Sequence, residues 1–133
     1  MNMLKLLFGS LMNPTPYKGK IVNELTSIEE LDVFLDSTTD TPALVFKHST
    51  TCPISSRASE RLNSYLETAG DSAPNISLIK VIESRPVSNA IAERLHVTHQ
   101  SPQLILINNG KEAWNASHHN ITAENILAAL ESL

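Results

Sequence analysis

Apolar runs and amphipathic helical segments alternate along this chain, and that alternation constrains the fold more than any other feature. "KIVNEL" (20–25) reads as a short edge strand. "TSIEELDVFLDST" (26–38) has Ile28, Leu31, Phe34 and Leu35 on one helical face, and Ser27 with Glu30 forms a capping box at its start. "TPALVFKHS" (41–49) is a continuous apolar run, too short for a buried helix and rich in strand formers, so it predicts a central strand. A helix follows from Pro53 through Ala58, Leu62, Tyr65 and Leu66 to a break near Gly70. "NISLIKVIES" (75–84) is a further strand, and "PVSNAIAERLHV" (86–97) a shorter helix with Val87, Ile91 and Leu95 on one face. "SPQLILINNGKEAWNAS" (101–117) reads as two strands turning at Asn108-Asn109-Gly110, since Asn-Gly tolerates the positive φ of a tight hairpin. "TAENILAALESL" (122–133) closes the chain as a helix with Ile126, Leu127 and Leu130 inward. Strands that alternate with helices pair in parallel and carry helices on both faces. The expectation is an α/β protein: a central mixed sheet of four to five strands, ending in a β-hairpin and a helix.

With 133 residues, 41% hydrophobic and 18% charged, the chain suits one globular domain with its own core. A net charge of −4 argues against nucleic acid as the main partner. Residues 1–20 hold Lys5, Lys18 and Lys20 and no acid, a balance of +3 against −7 for the rest. Residues 1–19 are therefore set apart as a leader, a loose tail or a short amphipathic turn, and residues 20–133 as the domain. No stretch reaches the length of a membrane-spanning helix. Cys52 is the only cysteine, so no disulfide forms within the chain, which points to a reducing compartment, the cytoplasm.

Cys52 lies in "KHSTTCPISSRASERL" (47–62), between a strand and a helix. A lone cysteine is most often a buried small hydrophobe. Here it precedes Pro53, suited to the first position of a helix, and follows a polar run, which predicts exposure. A thiol of pKa near 8.5 is about 3% ionised at pH 7, and one of pKa 7 about half. Free N–H groups at a helix start favour the thiolate. Lys47, His48 and Arg57 are near in sequence and are candidate cationic neighbours. Ser55, three residues on, can donate to the sulfur but cannot form a disulfide with it. Any mixed disulfide at Cys52 must then be released by a thiol from outside the chain.

Other candidates carry less. Glu83, Ser84 and Arg85 end the third strand and form either a polar turn or a ligand-carboxylate site. His99 lies two residues before Ser101; His118-His119 have no cysteine or acid cluster beside them and suit a solvated loop. Trp114 suits packing on the last strand. "STTC" shares a partial pattern with peroxiredoxins, but Val45 stands where that pattern needs a proline, which argues against a peroxidase.

The element order, with a cysteine after the second strand, resembles the thioredoxin fold. "TCPIS" followed by "ESRPVSNAIAERLHVTHQSPQLILINNGKEAWNASHHNIT" resembles the monothiol bacilliredoxins, over roughly residues 22–132. The resemblance implies a thioredoxin-like domain that acts as a monothiol thiol-disulfide oxidoreductase in a bacterial cytoplasm. It would reverse S-bacillithiolation of client proteins, with bacillithiol as co-substrate, no metal or organic cofactor, and a separate disulfide reductase as partner. The family's reactive cysteine matches Cys52, with Thr51, Pro53, Ile54 and Ser55 completing its motif, and its cis-proline matches Pro102. Cys52, Ser55 and Pro102 are thus the expected catalytic set, and Thr51, Pro53, Ser101, Lys47 and Arg85 the expected substrate contacts. The alternatives are an iron–sulfur carrier that binds a cluster through Cys52 and a small thiol, as similar monothiol glutaredoxins do, and a redox-sensing or redox-insensitive module.

Overall fold

A computed structural model describes residues 22–133; the leader expected over 1–19 lies outside the described residues. Five strands form one sheet: β1 (Val22–Glu24), β2 (Ala43–His48), β3 (Asn75–Lys80), β4 (Gln103–Asn108) and β5 (Lys111–Ser117), in the order β1-β3-β2-β4-β5. β1, β3 and β2 run parallel, while β4 and β5 are antiparallel to their neighbours. Four helices connect or follow them: α1 (Ile28–Ser37), α2 (Pro53–Ala69), α3 (Arg85–Leu95) and α4 (Ala123–Glu131).

Strand alternation sorts the side chains into two cores. Leu44, Phe46, Ile76, Leu78, Leu104 and Leu106 face α2 and α4, where they meet Leu62, Tyr65, Leu66 and Ile126. Val45, Ile79, Ile105 and Ile107 face α1 and α3 and meet Leu31, Phe34, Val87, Ile91 and Leu95. All six residues of β2 are buried, as the apolar run predicts for a strand covered on both faces.

Local chemistry fixes the ends. Ser27 Oγ accepts the Glu30 N–H at 3.1 Å, while the Glu30 carboxylate reaches past the cap to the N–H and hydroxyl of Thr26, both at 2.8 Å. Thr122 caps α4 through the Asn125 N–H. The hairpin turns on Asn109 (φ 55°) and Gly110 (φ 73°), with Asn108 paired to Lys111. Two successive positive φ values make this the two-residue turn that matches sheet twist. Between Leu106 paired with Trp114 and Ile107 paired with Glu112 the register shifts by one residue, leaving Ala113 as a bulge.

The third strand is shorter than its apolar run. β3 stops at Lys80, because the Ser84 N–H returns to the Lys80 carbonyl at 2.8 Å and closes a turn over 81–84. Arg85 is therefore the first residue of α3, not the end of a strand. At the other end of α3, His96 adopts a left-handed conformation (φ 56°, ψ 43°), and the Val97 N–H bonds the Ala92 carbonyl at 3.0 Å. This helix stop favours glycine, since a β-carbon crowds the following carbonyl. His96 is exposed, so His96→Gly is expected to raise stability by about 0.5–1 kcal/mol, measured by urea unfolding with an unchanged denaturant slope.

Candidate active site

β2 and β4 are antiparallel neighbours, with Lys47 opposite Gln103. The end of β2 and the start of β4 thus lie at one end of the sheet. Cys52 follows the first by four residues, and Pro102 immediately precedes the second. Ser101–Pro102 is a cis peptide bond, and Pro102 is buried while Ser101 is half-buried.

Cys52 is the N-cap residue of α2, with extended backbone (φ −103°, ψ 123°), and Pro53 occupies the first turn where no N–H is needed. The thiol is half-buried. Its pKa is lowered, first by the Ser55 backbone N–H and then by the Ile54 N–H; desolvation opposes them, and the Ser55 hydroxyl adds the smallest lowering effect. These are the orphan donors of a helix start, and a thiolate gives them an acceptor. Ser55 is itself buried, and its Oγ accepts the Ser49 N–H at 3.2 Å. The hydroxyl is therefore held by the loop before Cys52, close enough to the sulfur to favour the thiolate. Thr51 is exposed, its hydroxyl 3.2 Å from that of Ser49.

Lys47, one of the cations expected near the thiol, is placed elsewhere. Lys47 alternates with Phe46 and so points to the α1/α3 side, where it is fully buried and Nζ donates to the Ser88 carbonyl at 3.3 Å. It is a side chain of the interior, without the open ammonium that a substrate contact needs. No carboxylate pairs with it among the described residues, and burial lowers its pKa to about 8. Ser88 Oγ lies 3.4 Å from His99 Nδ1, and His99 is lowered by desolvation and then by the charges of Lys47 and Arg85. Lys47, Arg85 and His99 thus gather around Ser88 rather than around Cys52. Glu83 acts on His48, whose own pKa is lowered by burial and by Lys80. His118 lies in a single 3₁₀ turn (His118–Asn120), whose His118 and Ile121 carbonyls accept the Arg61 guanidinium at 2.8 and 2.7 Å. Trp114 packs at the edge of the α2/α4 core.

Two residues of the site region were not singled out from sequence. Ser88 joins Lys47 to His99. Gln103, buried at the start of β4, donates to the Thr98 carbonyl at 3.1 Å and accepts the Gln100 N–H at 3.3 Å, which braces the loop leading to Pro102. A buried glutamine beside an apolar strand was the available signal for the second. Among the described residues, no group of three or more His, Cys, Asp or Glu is placed to hold a metal ion.

Two outcomes test this geometry. Ser55→Ala removes one of the three nearby groups that favour the thiolate. The pH midpoint of Cys52 alkylation should move up, yet stay below that of the unfolded thiol because both backbone donors remain. The same change should cost about 1 kcal/mol of stability, since the Ser49 N–H loses its acceptor. For Lys47, the unfolded chain keeps its proton to about 10.5 and the fold only to about 8. Between those values the unfolded chain holds more protons, so stability rises with pH there. Lys47→Met should be more stable than the parent at pH 7, by on the order of 1–2 kcal/mol. That advantage should shrink as pH rises above 8 in paired unfolding curves.

The comparisons with known proteins agree with this fold. A solved structure described as a candidate oxidoreductase with a thioredoxin fold superimposes with a TM-score of 0.72 at 30% identity, covering 82% of this chain and 93% of that one. Mitochondrial thioredoxin 3 from Saccharomyces cerevisiae matches with a TM-score of 0.62 at 15% identity, over 84% and 95% of the two chains. Thioredoxin O2 from Arabidopsis thaliana matches at 0.65 and 17%, over 88% and 97%. The last two show the fold alone. The family model for "Monothiol bacilliredoxin BrxC" matches residues 23–126, a span that includes Cys52, Ser55 and Pro102. The chain is thus a thioredoxin-fold oxidoreductase that belongs to the monothiol bacilliredoxin family.

Proposed function

We propose that this protein removes bacillithiol from S-bacillithiolated client proteins through a mixed disulfide at Cys52. The observation that carries this reading is a half-exposed thiol at a helix start, its pKa lowered by the nearby Ile54 and Ser55 N–H groups, with no second thiol in the chain. The donors raise the thiolate fraction near neutral pH. The Cys52 thiolate attacks the bacillithiol sulfur of the client disulfide; the client thiolate leaves and takes up a proton. Cys52 now carries bacillithiol. The thiolate of a second bacillithiol attacks that sulfur, frees Cys52 and leaves bacillithiol disulfide, whose two-electron reduction falls to a separate reductase. Ser55 holds the place where a dithiol enzyme would keep its resolving cysteine, so release requires the outside thiol.

Thr51 and Pro53 flank the sulfur in the chain, and Ser101–Pro102 offers backbone at the same end of the sheet. The chemistry calls for no resident metal or organic cofactor, and a reducing cytoplasm supplies its thiol. The family supports this reading.

The test is a client loaded with bacillithiol, followed by mass spectrometry with purified protein and free bacillithiol. The parent should strip the client and pass through an adduct on Cys52. Cys52→Ser should reduce the rate to that of bacillithiol alone. Equal rates for parent and variant would end the proposal.

A further inference from the structure

Beside Cys52 the end of β2 and one stripe of α2 enclose an open cleft of about 260 Å³. Its walls include His48 and Thr50 from the strand end and loop, and Ser56, Glu60 and Asn63 from the helix. Ser56 is one turn beyond the thiol: its N–H bonds the Cys52 carbonyl at 3.1 Å. The cleft thus begins a turn away from the sulfur and runs along the helix from it.

Two residues that line this cleft each carry a buried polar atom with no hydrogen bond among the described residues: His48 Nε2 and Asn63 Oδ1. His48 is only 8% exposed. Its ring is held in place by stacking on Phe46, at 5.1 Å between centroids and 11° between planes. Buried polar groups are nearly always paired, and leaving one unpaired costs more than a made bond gains. Two such atoms on residues lining one cleft, one on an immobilised ring, mark a place that an incoming group completes.

The lining also says which group. Asn63 Oδ1 only accepts, so the ligand must donate a hydroxyl or N–H there. His48 is held toward its neutral form by burial, and its Nε2 donates or accepts according to tautomer. Thr50 and Ser56 add hydroxyls, and Glu60 a carboxylate acceptor. Among the described residues no arginine or lysine lines the cleft, so it does not suit a phosphate. Paired donors and acceptors of this kind recognise a hydroxylated, sugar-like group.

We infer that the cleft lined by His48, Asn63 and Glu60 is a subsite for the hydroxyl-bearing part of the small thiol whose sulfur reacts at Cys52. The inference rests on the mixed disulfide proposed above. It assigns selectivity among small thiols to the flank of α2, away from the Ser101–Pro102 backbone.

The test compares exchange of Cys52 with two disulfides, followed by quenched mass spectrometry. One is bacillithiol disulfide, a cysteinyl amino-sugar conjugate. The other is cystine, which carries the cysteinyl part alone. The readout is the ratio of the two rate constants in the parent, Asn63→Leu and His48→Phe. A ratio that falls about tenfold in the folded variants supports the subsite. Asn63 is half-exposed on a helix, so Asn63→Leu decides the matter alone if His48→Phe does not fold. A ratio unchanged from the parent would overturn the subsite and leave the cleft to water, with the Cys52 mechanism intact. Failure of the parent to exchange with either disulfide would overturn both.

Discussion

Every residue of β2 is buried, and that one constraint organises the molecule. A strand with no exposed face must lie inside a sheet and be covered on both sides. β3 and β4 flank it, and helices cover it above and below. Its last residue is also the last point at which the chain is held by sheet hydrogen bonds. Cys52 follows four residues later, at the start of a 17-residue helix anchored on the same sheet. The reactive group is thus placed by the buried centre of the sheet although it sits in a turn.

The chemistry at that turn is backbone chemistry. The N–H groups of Ile54 and Ser55 are there because any helix start leaves donors unpaired. Proline at position 53 sacrifices none of them. The Ser55 hydroxyl adds a smaller effect and is steadied by the Ser49 N–H. Lys47, five residues before the thiol, is spent elsewhere. Its ammonium lies in the opposite layer, bonded to Ser88 and close enough to lower His99. A one-residue step along a strand reverses the face, and that step separates Lys47 from the layer that holds His48 and Phe46.

Much of the fold was readable because periodicity and turn chemistry agree here. The hairpin at Asn109-Gly110, the Ser27 cap and the start of α2 at Pro53 each follow from residue types with one good conformation. The end of β3 was not readable. "VIES" continues an apolar run, and only the return of the Ser84 N–H to Lys80 ends the strand. Of the site, Cys52, Pro53 and Ser55 were visible through their spacing. Lys47 was grouped with them by nearness in sequence and Arg85 as the end of the third strand, and neither reports the face of a strand or the packing of a helix end.

The sequence by itself determined the alternation of elements, the lone thiol at a helix start and the lack of an internal resolving cysteine. These depend on residue identity and short spacing, and local backbone physics suffices to read them. The tertiary structure decided what surrounds the thiol. It buried Lys47 without a carboxylate and joined it to His99 through Ser88. It also set His48 and Asn63, fifteen residues apart, in one cleft with a polar atom of each unpaired. Such meetings depend on how helices pack across a sheet, and no spacing within one segment encodes them.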